Sequence, residues 1–107
     1  MAGDKMKIKY TPGFADSLEQ TILYWQDELK LSPTKIHQFT AHLNKKIKLI
    51  GVYPGIGTDV TELYGFKEQT YRTLIGHSYG IFYRLDQANN QITIGAIFNT
   101  AEMKVKF

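Results

Sequence analysis

Apolar residues recur along this chain with two different periods, and the change between them divides it into elements. Ile8 and Tyr10 alternate with Lys7 and Lys9, the period of a strand covered on one side, until Thr11-Pro12-Gly13 breaks the run. Phe14, Leu18, Ile22, Trp25 and Leu29 then follow at steps of four, four, three and four, which predicts an amphipathic helix with one apolar stripe. Leu31-Ser32-Pro33 ends it and starts the next. The Ser32 hydroxyl can accept from the free amides of a first turn, and Pro33 at the first helical position forfeits no needed hydrogen bond. Ile36, Phe39, Leu43, Ile47 and Ile50 continue at helical spacing until Gly51 and Pro54 close the helix. So short a connection makes the two helices an antiparallel hairpin.

After the helices the pattern turns to β. Residues 53–59 contain one Pro and two Gly and read as an exposed loop, and residues 60–66 as a short extended piece. Residues 69–75, 79–85 and 91–98 are three strand-like runs, separated by Gly76-His77-Ser78 and by residues 86–90. Both connections have hairpin length and turn residues, so the runs form an antiparallel meander. The expected fold class is α+β, in the order β-α-α-β-β-β, with the helical hairpin on one face of a mainly antiparallel, twisted sheet. If Gly76-His77-Ser78 is a three-residue loop, Ile75 stands opposite Tyr79 and Arg72 opposite Phe82. Arg72, Leu74, Gly80, Phe82 and Arg84 then share one face, with the two arginines roughly 7–8 Å apart on a diagonal. Tyr71, Thr73, Ile75, Tyr79, Ile81, Tyr83 and Leu85 share the other, more apolar face, which should pack on the helices. The arginine face is expected to be open and ligand-facing.

Size and composition narrow the class. The 107 residues are one domain's worth, and 43% hydrophobic with 13% aromatic residues suffices for a core without staples. Residues 1–6 read as an unstructured or added lead, with Met6 able to serve as the natural start. There is no cysteine, which rules out disulfides, thiolate nucleophiles and thiolate metal sites. The start has no apolar stretch of the signal-peptide kind, and no run approaches the roughly 18 apolar residues of a membrane span. The expected location is the cytoplasm.

The net charge is +3, and its distribution is uneven. No acidic residue lies between Leu29 and Thr58, where Lys30, Lys35, Lys45, Lys46 and Lys48 fall, whereas Asp16, Glu19, Asp27 and Glu28 precede them. Two readings stay open: solvated faces of opposite sign, or a surface for an anionic partner. His37 and His42, five apart on a helix, point about 140° apart and cannot share a metal. There is no G-x-S-x-G, and Gly55-Ile56-Gly57 lacks the flanks of a phosphate loop. No cofactor and no metal are expected. Tyr71, Tyr79 and Tyr83 can be sheet packing or ligand platforms, and Trp25 sits on the core stripe of its helix.

The segment YRTLIGHSYGIFYRLD at residues 71–86, followed by ITIGAIFN at 92–99, carries a strand, a tight turn and a strand rich in aromatics with two arginines. Together with the K-I-K-Y-T-P opening, the helical hairpin and the terminal K-V-K-F, this order resembles the RelE/ParE superfamily of bacterial type II toxins over nearly all of residues 7–107. The resemblance implies a single toxin domain of a plasmid-stabilisation type, neutralised by a cognate antitoxin protein. It implies one of two activities: metal-independent cleavage of messenger RNA on the ribosome, as in RelE-like members, or poisoning of DNA gyrase by binding, as in ParE-like members. Cleavage needs groups that move protons and cations that stabilise the phosphorane-like charge. Arg72 stands where such a toxin has a basic residue. Leu74, Gly80 and Asn99-Thr100-Ala101 stand where further cations are expected, and Phe107 lacks the hydroxyl of the usual terminal aromatic. Arg72, His77 and Arg84 are the weak catalytic candidates. Arg72, Phe82, Arg84, Lys104 and Lys106 are the target-binding candidates. The favoured reading is a toxin acting by protein binding; an endoribonuclease with an atypical site, or a non-toxic binding module, are the alternatives.

Overall fold

The computed structural model describes residues 6–102 and 107. Strand β1 (Lys7–Tyr10) leads into helix α1 (Pro12–Asp27) and helix α2 (Pro33–Val52). A 3-10 turn (Pro54–Ile56), the two-residue strand β2 (Thr58–Asp59) and strands β3 (Tyr71–Ile75), β4 (Tyr79–Asp86) and β5 (Gln91–Asn99) follow. The α+β class and the helical hairpin stand as expected. The expected order is extended by β2, a short piece inside what reads as loop. The sheet order is β1-β5-β4-β3-β2; β1 runs parallel to β5 and every other pair is antiparallel.

Local chemistry sets the helix ends. The Thr11 hydroxyl accepts from the Phe14 amide at 3.0 Å with Pro12 in the first turn, and the Ser32 hydroxyl accepts from the Lys35 amide at 3.2 Å with Pro33 in the first turn. α1 stops at Asp27, two residues short of Leu29. Lys30 takes φ 53°, so the chain reverses there and the Leu31 amide folds back to the Trp25 carbonyl. Met6 belongs to the fold, its amide donating to the Gly51 carbonyl at 3.2 Å.

One face of the sheet packs on the helices. Phe14, Leu43, Ile47 and Ile50 meet Ile75, Ile81, Tyr83, Ile92, Ile94 and Ile97 in one buried cluster. At one end Trp25, Phe39 and Tyr79 join α1, α2 and β4 edge to face, and the Trp25 indole N–H donates to the Tyr79 hydroxyl at 2.8 Å. At the other end Tyr83, fully buried, donates to the Pro54 carbonyl at 2.7 Å and accepts from the Gly57 amide at 2.9 Å. Its hydroxyl thereby fixes the loop between α2 and β2. Burial raises its pKa above the ordinary 10.0, with the Gly57 amide acting against that shift and the nearby Tyr71 adding to it.

Candidate functional site: the second face of the sheet

The β3–β4 register is the one a three-residue loop dictates: Ile75 pairs with Tyr79 and Arg72 with Phe82. Arg72 and Arg84 therefore share a face, as the alternation predicts. That face is not open. Phe82 is 1% exposed and Phe98 6% exposed, stacked with ring centroids 4.6 Å apart. Residues 60–66, expected to be a short extended piece, instead fold with residues 67–70 into a compact loop over them, and the strand expected from 69 begins at Tyr71. The loop is closed at its base by its own polar groups. The Asp59 carboxylate accepts from the Thr61 amide and hydroxyl and from the Gln69 amide nitrogen, and the Thr70 amide donates to the Thr61 hydroxyl at 2.8 Å. The Thr61 hydroxyl first, then Gln69, hold the Asp59 pKa below its ordinary value. From this base Tyr64 and Phe66 reach back edge-on to the Phe82 ring, at 5.7 and 5.2 Å. Self-bonded surface loops of this kind carry their own side-chain packing.

Both arginines are engaged by this cap. Arg72 Nη1 donates to the Tyr64 hydroxyl at 2.8 Å. Arg84 Nε donates to the Thr70 hydroxyl at 2.9 Å, its Nη1 meets Glu68 Oε2 at 3.0 Å, and its guanidinium lies 3.8 Å from the Phe107 ring centroid. The two arginines, expected on an open, ligand-facing surface, hold this loop against the sheet. Phe82, proposed from sequence as a target contact, is buried beneath that loop because three rings pack on it, Tyr64, Phe66 and Phe98, with Phe107 in the same cluster. His77 is exposed in the β3–β4 turn, away from the cap, and only its carbonyl is engaged, accepting from the Thr100 hydroxyl at 3.4 Å. Lys104 and Lys106 lie outside the described residues. Thr70, Tyr64 and Glu68 are the residues that sequence reasoning missed. The aromatic pair flanking Gly65 was the available signal.

Two glycines show how tightly the face is filled. A Cβ on Gly80 would come within 2.6 Å of the Phe98 ring, and one on Gly95 within 2.6 Å of the Phe107 ring. β5 bulges here, since Ile81 pairs with Ile97 but Tyr83 with Ile94, and the Ala96 amide donates to the Phe107 carbonyl at 2.9 Å instead of to a strand. A side chain at either position would require a ring to shift.

The far edge of the sheet is different. Lys7 and Thr11 donate to Asn90 and Ile94 on the β5 side, so the backbone groups of Ile8 and Tyr10 face outward and have no backbone partner among the described residues. Beside this edge lies an open, mainly apolar groove of about 550 Å³ lined by Tyr10, Phe14, Ala15, Leu18, Ile22 and Leu23, with Glu19 as its one charged residue. Tyr10 and Leu23 are 47% and 46% exposed. Among the described residues, no helix is long and apolar enough to cross a membrane.

The fold is similar to that of a solved structure. A chain in the crystal structure of the toxin–antitoxin complex RelBE2 from Mycobacterium tuberculosis matches over 92% of this chain and 95% of its own length, with a TM-score of 0.60 and 18% sequence identity. The chain has a RelE-like fold. No family model matches the sequence, and no curated protein does. Within the RelE-like fold, the positions where the resemblance expects further cations hold Leu74, 45% exposed on the outer face, and Gly80, covered by Phe98.

Proposed function

We propose that this chain is the toxin of a type II toxin–antitoxin pair, acting in the cytoplasm by binding a protein target and neutralised by a cognate antitoxin. The observation that carries this reading is the likeness of nearly the whole chain to a chain of a toxin–antitoxin complex. The open backbone edge of β1 and the apolar groove next to it support the second half of the proposal. An extended antitoxin segment can add a strand at Ile8 and Tyr10 and seat apolar side chains against Phe14, Leu18 and Ile22.

The closed outer face favours protein binding over RNA cleavage. Phosphodiester cleavage needs a base, an acid and free cations around the phosphate. Here Arg72 and Arg84 are tied to Tyr64, Thr70 and Glu68, and the rings of Phe82 and Phe98 lie buried beside them. Inducible expression in a bacterium tests the reading. Growth should stop on induction and resume when the small protein encoded beside the toxin is co-expressed. In extracts of the arrested cells, DNA gyrase supercoiling should be impaired while messages stay full length. Normal growth at high soluble expression would remove the toxin reading.

A further inference from the structure

Helix α1 has a further stripe besides the one in the core and the one in the groove beside β1. Asp16, Ser17, Gln20 and Tyr24 recur at steps of one, three and four, so they share a side of the helix, and they line a cavity of about 300 Å³. Tyr79, Ile97, Asn99 and Glu102 line it from β4, β5 and the turn that follows. The cavity shares no residue with the apolar groove. Its volume lies at the small end of the range for ligand sites, roughly 300–1,000 Å³.

An interrupted strand edge supplies part of its chemistry. β1 pairs with β5 only as far as Ile94. Beyond that point the Ile97 amide donates to the Ser17 hydroxyl at 3.0 Å, so the backbone polar groups of Ile97 point toward α1 and away from β4. Its carbonyl turns the same way and has no hydrogen-bond partner among the described residues, although Ile97 is only 5% exposed. A buried carbonyl calls for a donor. Charge supplies the rest. Asp16 and Glu102 are the charged residues among those lining the cavity, in a chain whose net charge is +3. The partial positive charge at the α1 N-terminus, roughly half a unit, opposes a cation, but two carboxylates outweigh it.

We propose that this cavity binds a small alkylguanidine. The guanidinium plane carries five N–H donors, so one head group can meet a carboxylate and the Ile97 carbonyl together. The rings of Tyr24 and Tyr79 offer faces on which a planar cation stacks. An ammonium of the same size is more strongly hydrated and has no plane to stack. An anion is opposed by both carboxylates, and the volume admits a head group with a short chain. The inference stands apart from the toxin reading and holds or fails separately.

The test is a titration of the isotope-labelled full chain with agmatine (4-aminobutylguanidine), followed by amide chemical shifts. Saturable shifts centred on Gln20, Tyr24, Asn99 and Glu102 are expected, with a dissociation constant of about 1 mM or tighter. Succinate should leave these amides unmoved. Asp16→Asn with Glu102→Gln should weaken binding at least about tenfold. Both side chains are exposed, so the melting temperature should hold, which separates lost binding from lost folding. Gln20→Arg, which tethers a guanidinium at the cavity, should block agmatine. No saturable shift up to about 10 mM agmatine would overturn the proposal. So would the same shifts from sodium chloride at equal ionic strength, or unchanged affinity in the carboxylate double variant. Tighter binding of an arginine-containing peptide would assign the cavity to a protein partner and overturn the small-molecule reading.

Discussion

The two faces of the sheet are both covered, but by different means. The inner face is packed by two helices whose side chains interlock with five isoleucines and Tyr83. The outer face is covered by a single loop that holds itself together with Asp59, Thr61 and Gln69 and is fastened to the sheet by two arginines. Apolar burial on the inner face is extensive and unscreened, so it sets whether the chain folds. Burial on the outer face is thinner and depends on polar fastenings, so it sets whether that face is accessible. Regions of few apolar contacts open at lower free energy than the global core.

The contrast can be broken from the inside first. Ile81→Ala removes a fully buried side chain from the inner cluster and should cost about 2–5 kcal/mol in chemical denaturation, lowering the stability of the whole chain. Tyr83→Phe should cost about 1–3 kcal/mol, because the Gly57 amide and Pro54 carbonyl lose their partner. The same variant carries a pH signature. The Tyr83 pKa is raised in the folded state, so its contribution is complete below the ordinary value of 10.0 and is lost as pH rises through the higher folded value. The alkaline loss of stability should therefore be shallower in Tyr83→Phe than in the parent, measured by thermal unfolding across that range.

On the outer face the effects should be smaller and local. Phe66→Ala should cost about 1–2 kcal/mol, for a side chain only partly removed from water. Its main result should be faster hydrogen exchange at the Val60, Phe66 and Thr70 amides, with the β4 and β5 amides unchanged. Uniform loss of protection would mean the two faces unfold together. Glu68→Gln should cost no more than about 1 kcal/mol, since Glu68 is 73% exposed and solvent screens its bridge to Arg84.

The same division explains what could be read from the sequence. The helices, the meander and the β3–β4 register follow from local rules, because periodicity and turn length decide which side chains share a face. The placement of Arg72 and Arg84 on one face was legible for that reason. What covers that face was not. Residues 60–66 lack a clear period, and their shape depends on Asp59 meeting Gln69 ten positions on, while Arg84 meets Thr70 fourteen positions back. Contacts at such separations leave no periodic trace. The aromatic residues were legible as packing in kind, and Trp25 and Tyr79 do pack. That Phe98 and Phe107 fill the space beside Gly80 and Gly95 depends on a bulge in β5 and on a contact between residues far apart in sequence.

The proposed reading is that the outer face, where rings are buried and both arginines engaged, does not cut RNA. Primer extension on cellular messages, taken shortly after induction in cells whose growth has stopped, tests it most directly. The account predicts full-length products indistinguishable from those of uninduced cells; new 5′ ends that appear with the parent chain and vanish with Arg72→Ala or Arg84→Ala would contradict it.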